Sequence, residues 1–206
     1  MSEPRPPGRR VLDLSGLATY GYGTSSLMWW GTWGMILIES TVFALAVVTY
    51  FYLSQYSFHW PPAPRKPPDL VFGTANLIVL LLSAVPNQWT KHVAEREDLP
   101  RVRIGLLVCL AFAAVCLALR GFEFGALNTA WNDSAYGSIV FALMLLHTVH
   151  LITDIIDTVV LAVLMFTSRI SGRRFSDVSE NSLYWYFVVA SWVVIYGTVY
   201  IAPRVI

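Results

Sequence analysis

Five stretches of this chain, residues 29–53, 70–90, 102–119, 136–168 and 183–202, are almost continuously apolar. Each approaches or exceeds the roughly 17–25 residues that an α-helix needs to cross a bilayer, and a water-soluble fold has no use for five of them. Composition agrees: 56% of the 206 residues are hydrophobic and 13% are charged, against about 45–50% and about 25% in soluble domains. The runs do not alternate as the strands of a membrane barrel would. A backbone in hydrocarbon must satisfy its own polar groups, so each span reads as a helix. The expected fold class is all-α, a polytopic membrane protein whose five transmembrane helices form one bundle over residues 28–206. Residues 1–27 carry Arg5, Arg9 and Arg10 among three prolines and lack the apolar core of a signal peptide, so they read as a polar N-terminal arm.

Lysine and arginine set the expected orientation. The arm, the second connection and the fourth connection carry ten (Arg5, Arg9, Arg10, Lys91, Arg96, Arg101, Arg103, Arg169, Arg173, Arg174), and the opposite side carries four (Arg65, Lys66, Arg120, Arg204). The basic side is the cytoplasmic one, which places the N-terminus inside and the C-terminus outside. The first connection, Phe58 to Asp69, is too proline-rich for helix and reads as a stiff extended linker. Span four, at about 50 Å of helix, must tilt or project. Cys109 and Cys116 stand about 10.5 Å apart along span three, too far for a disulfide, and read as buried thiols. A net charge of +1 excludes a nucleic-acid-binding surface.

Four ionisable residues lie deep inside spans: Glu39 in the first, and His147, His150 and Asp154 in the fourth. A charge at the bilayer centre costs at least about 2.5–3.5 kcal/mol, so these groups face protein or water. At about 100° per residue the two histidines, Asp154 and Asp157 form one stripe about 80° wide, which must be a helix–helix seam. Three readings compete there: a metal site, since histidines at i and i+3 can share an ion; a proton relay through Glu39; and interhelical hydrogen bonding that fixes packing. With four histidines in the chain, a metal is the least supported and none is expected. Glu39 is expected within direct or water-bridged reach of a helix-four histidine, and protonated at rest. Arg120 and Glu123, three apart at the outer end of span three, read as a surface ion pair. The Glu95-Arg96-Glu97-Asp98 run reads as a solvated loop. No phosphate loop, nucleophile elbow or Cys-x-x-Cys pair is present, and no catalytic residue is expected.

An ordered set of short motifs adds a resemblance. Ile38-Glu39-Ser40, Trp60-Pro61-Pro62, Asn76 with Leu81-Leu82-Ser83, Ala94-Glu95-Arg96, Gly121-Phe122-Glu123-Phe124, Tyr136-Gly137-Ser138, His147-x-x-His150, and Tyr184-Trp185-x-Phe187 with Trp192 and Tyr200 run in order from about Leu27 to Ile201. In these the chain resembles subunit III of the haem–copper respiratory oxidases in its short five-helix form. The resemblance implies a bundle with no redox centre of its own, split by a phospholipid-binding cleft and packed against catalytic subunit I, with subunit II nearby. Haem and copper would belong to those partners. It also implies support of proton uptake and of sustained turnover. Glu39 matches the family's intramembrane glutamate, Glu123 a second glutamate, and His147 and His150 its histidine pair, with Thr148 in place of a glycine. Tyr186 and Val189 stand where the family has histidine and aspartate, and Asp154 stands where it has a small residue.

The expected function is therefore that of a non-catalytic subunit of a terminal oxidase, taking electrons from cytochrome c or quinol, multi-pass in the plasma membrane. Alternatives are an accessory subunit of a nitric oxide reductase and a small proton-coupled transporter, the latter weakened by the lack of an inverted repeat. The expected cleft separates the first two helices from the other three, with Lys91 and Arg96 as candidate contacts for lipid phosphates.

Overall fold

The computed structural model describes residues 20–167 and 172–205. Most of the expected N-terminal arm, residues 1–19, and the basic residue Arg169 lie outside the described residues. The described chain is helical, with no strand among the described residues. Helices α1 (Leu27–Ser54), α2 (Leu70–Glu95), α3 (Leu99–Gly125), α4 (Ala135–Thr167) and α5 (Gly172–Tyr196) are each long and apolar enough to span a membrane. A π-helical turn, Gly197–Ile201, and a short 3₁₀ turn, Ala202–Arg204, prolong α5.

Local chemistry sets several of the ends. The Ser26 hydroxyl caps α1 by accepting the Trp29 amide at 3.4 Å, and Asp98 caps α3 through the Arg101 amide at 3.4 Å, with Pro100 in the first turn, where its missing N–H costs nothing. Only Arg96, Glu97 and Asp98 separate α2 from α3, and Glu97 adopts a left-handed φ of 57° to close that connection. Helices α1, α2, α3 and α5 outrun the apolar stretches that mark them, α3 and α5 by the most. Helix α3 continues to Gly125, and α5 starts at Gly172, because Arg174, Asp177 and Glu180 lower hydropathy without interrupting helix.

Helix α5 is the hub of the bundle, packed against α1, α2 and α4, while α2 also lies along α3, and α4 along α1 and α3. Helices α1 and α2, though consecutive, are not packed against each other. A cleft dividing α1 and α2 from the remaining three is therefore not the geometry of this bundle; a groove of about 640 Å³ opens instead between α1, α4 and α5. The central core gathers Phe43, Tyr50, Leu80, Leu143, Trp185 and Trp192, and a second cluster around Leu106, Leu161 and Phe175 closes the end nearer the N-terminus. Apolar side chains gain little by leaving lipid for one another, so close backbone approach matters more. Gly105 is pressed against the Thr90 side chain, and Gly73 against the Tyr200 ring; a Cβ at either would stand 2.3 and 2.4 Å from the nearest atom.

The proline-rich connection is not the extended spacer expected of it. Trp60 folds back into the bundle, 5.5 Å from the Tyr50 ring and 5.1 Å from that of Tyr136. Arg65 donates to the Asp133 carbonyl at 2.6 Å, and the Asp69 amide to the Ala126 carbonyl at 3.0 Å. Asn128 and Arg204 donate to the carbonyls of Pro67 and Pro68. Proline removes donors and leaves carbonyls free, so the loop is held by side chains reaching to it.

Replacing Gly105 with alanine should lower the stability of the detergent-solubilised protein by about 1–3 kcal/mol. Thermal unfolding of Gly105→Ala alone and with Thr90→Ala checks this: removing the opposing Oγ1 and Cγ2 should restore part of the loss.

Candidate functional site

Two polar clusters sit inside the bundle. The first is centred on Arg120 of α3, which is 1% exposed. Its Nη1 lies 2.9 Å from Glu123 Oε2, one turn along the same helix. Asn76 of α2 donates to the same carboxyl oxygen at 2.9 Å, and the Tyr200 hydroxyl donates to Oε1 at 3.4 Å. The guanidinium also lies 3.7 Å above the Trp192 ring of α5, a cation–π contact. Expected as a surface pair, Arg120 and Glu123 are instead wholly buried. Desolvation of each charge is offset because Asn76 and Tyr200 donate to the carboxylate while the Trp192 ring covers the guanidinium.

His147 belongs to this cluster, and its tautomer follows from its neighbours. Arg120 Nη2 lies 3.0 Å from Nδ1, and arginine has no acceptor, so Nδ1 accepts. The ring proton then sits on Nε2, which donates to the Val188 carbonyl at 3.0 Å. Both nitrogens are committed, and the ring is locked between α3 and α5.

The second cluster joins α1, α4 and α5. The Tyr184 hydroxyl donates to Glu39 Oε2 at 2.8 Å, and Glu39 Oε1 lies 3.7 Å from His150 Nε2. His150 Nδ1 donates to the Leu146 carbonyl at 2.6 Å, which fixes the proton of the neutral ring on that side and turns a lone pair toward Glu39. Unlike Arg120, this pair is partly open: the Glu39 side chain is 23% exposed and lines the groove between α1, α4 and α5.

The helix-four stripe thus serves three separate surroundings. His147 turns to Arg120, His150 to Glu39, and Asp154, 2% exposed, lines both the groove and an internal cavity among α2, α3, α4 and α5. Among the described residues, no three His, Cys, Asp or Glu side chains gather as ligands for one metal ion. Lys91 and Arg96 sit at the end of α2 and do not line the groove, although Lys91 is an electrostatic neighbour of Glu180, which does. Tyr186, in place of the resemblance's histidine, donates to Gln88 Oε1 at 2.5 Å, and Val189 is buried.

In the sequence Tyr184 stands out only as part of the Tyr184-Trp185-x-Phe187 motif, with nothing to mark it as Glu39's partner. The polar first turns of α5 hid the start of the helix. Counted from Gly172, Tyr184 lies about 18 Å along α5, the same distance as Glu39 from Leu27 along α1.

Comparison with known proteins gives a consistent picture. A family model described as Cytochrome c oxidase subunit III matches residues 14–203. "Cytochrome c oxidase subunit 3" of Pylaiella littoralis is 29% identical over 178 residues, covering 81% of this chain and 65% of that protein. "Probable cytochrome c oxidase subunit 3" of Nocardia farcinica is 28% identical over 166 residues, covering 79% and 81%. The Drosophila melanogaster protein of the former name is 25% identical over 203 residues, covering 91% and 76%. The chain therefore spans slightly under two thirds of the Pylaiella littoralis relative's length.

Losing one member of the buried pair should cost far more than losing both. Arg120→Met or Glu123→Leu alone should destabilise by about 3–5 kcal/mol, by leaving an unpaired buried charge. The double variant should lose much less than the sum of the two, as read from denaturant unfolding in mild detergent.

Proposed function

Because the chain belongs to the cytochrome c oxidase subunit III family, we propose that it serves as a non-catalytic subunit of a haem–copper terminal oxidase. In this reading it packs chiefly against subunit I, with subunit II in the same complex, and haem and copper reside in those partners. The observation that carries the reading is the family match along nearly the whole chain, on a bundle of five membrane-spanning helices. The exposed apolar face of α1, including Leu37, Ile38, Leu45 and Val48, is available to lipid or to a neighbouring subunit. Ten basic residues against four support an N-terminus in the cytoplasm, and the plasma membrane is the membrane assigned in this reading.

In this role Glu39 and His150 hold one proton between them beside the groove, and Tyr184 orients the carboxyl by donating to its other oxygen. The groove opens toward the end of the bundle that bears the N-terminus, so the pair can take up a proton from that side. Phospholipid is assigned elsewhere. The groove is lined by Glu39, Asp154, Asp157, Asp177 and Glu180 against the single cation Arg174, itself 3.5 Å from Asp177. An acidic wall repels phosphate, so lipid headgroups are assigned to the basic rim at Lys91 and Arg96.

An affinity-tagged chain extracted from its native membrane should bring down an oxidase core whose haem accounts for all the visible absorbance. Recovery of a nitric oxide reductase core, or of an oligomer of this chain alone, would overturn the assignment. Within the complex, Glu39→Gln keeps a hydrogen bond to Tyr184 but cannot titrate. It should assemble normally and lose sustained turnover most steeply at alkaline pH, whereas Glu39→Ala should assemble poorly. Equal turnover of Glu39→Gln and the unaltered complex across pH would reduce Glu39 to a packing role.

A further inference from the structure

Asp154 has no place in either cluster, yet it is a nearly fully buried carboxyl with both oxygens lacking a hydrogen-bond partner among the described residues. It lines two spaces. One is the groove between α1, α4 and α5; the other is an internal cavity of about 20 Å³ among α2, α3, α4 and α5. A water molecule needs at least about 10–15 Å³ on the same measure, together with two to four polar partners. The cavity offers them: Ser83, Asn87 and Thr90 from α2, Thr158 from α4, and Asn181 and Ser182 from α5. Asn181 also lines both spaces. Its Nδ2 donates to Thr158 Oγ1 at 2.9 Å, while its Oδ1 has no partner among the described residues. One water that accepts once and donates twice would satisfy a neutral Asp154, through its O–H and its C=O, together with Asn181 Oδ1.

The charge environment fixes how Asp154 meets that water. Asp157 on its own helix, Glu39 from α1, and Asp177 and Glu180 from α5 share its groove. The groove's cation, Arg174, is engaged by Asp177. Tyr184 is spent on Glu39. On the cavity side α3 contributes the Cys109 thiol, and α2 contributes only neutral groups. With no cation in contact, an ionised carboxylate there would be buried without compensation; a neutral acid needs only an acceptor for its one O–H.

We propose that Asp154 is a proton-exchange site, a neutral acid that binds an internal water on one side and exchanges its proton with groove water on the other. In one exchange the Asp154 O–H proton passes to a hydrogen-bonded groove water while that water returns one of its own protons to the other carboxyl oxygen, so the acid stays neutral and neither hydronium nor hydroxide is left behind. The site is separate from the Glu39–His150 pair, and it stands whether or not the chain works in an oxidase.

Infrared difference spectroscopy of the full chain in its native complex, recorded in H2O and D2O, reads this carboxyl directly. The unaltered protein should show a protonated-carboxyl C=O band that shifts on exchange into D2O. Asp154→Asn should abolish that band completely, and Glu39→Gln should leave it in place. A band that is absent, that persists in Asp154→Asn, or that fails to move in D2O overturns the proposal. Should Asp154→Asn not assemble, a high-resolution map of the unaltered complex decides: water density within hydrogen-bonding distance of Asp154 and Asn181 upholds the site, and an empty cavity overturns it.

Discussion

A guanidinium that can neither reach water nor lose its proton must be surrounded, and Arg120 organises much of this bundle by that requirement. Its carboxylate partner comes from its own helix, but the rest of its surroundings do not. Asn76 of α2 holds the carboxylate from one side, His147 of α4 accepts from Nη2, and Trp192 of α5 covers the planar face. Four helices are thereby fixed in rotation about one cation. In lipid, where apolar surfaces sort poorly among themselves, such directional contacts select one packing from many.

The two polar clusters divide their tasks by access. Around Arg120 the cluster is shut away from the groove, and His147 has no nitrogen left for a ligand. Around Glu39 one edge is open to the groove, and the carboxyl stands 3.7 Å from His150 Nε2. The closed contacts of His147 and the open edge at His150 thus lie three residues apart on α4.

Much of this architecture was legible in the residues. Continuous apolar length marks all five helices, because nothing else satisfies a backbone in hydrocarbon. The depth of Glu39 pointed to a helix-four histidine, and His150 lies 3.7 Å away. What escaped were relations between elements. Arg120 and Glu123 look like a surface pair because proximity to a span end says nothing about which face is covered; the covering comes from Tyr200 and Trp192, far along the chain. Tyr184 escaped because charged residues in the first turns of α5 masked its start. The stripe on α4 is real as a periodicity, but three different neighbours meet its members, and no pattern within one helix carries that information.

The separation of α1 from α2 bears on how the chain is made. Helices α2 and α3, joined by three residues, can enter the membrane as a hairpin whose two halves already match. Helix α1 emerges well before α4 and α5, yet these are its neighbours in the finished bundle. Glu39 therefore enters the bilayer before His150 and Tyr184 exist to meet it. An ionisable residue at that depth opposes insertion by about 2.5–3.5 kcal/mol, a load that the apolar remainder of α1 has to outweigh unaided. The run of exposed leucine, isoleucine and valine along α1, unneeded for packing in the finished bundle, is what carries an acid into lipid ahead of its partners.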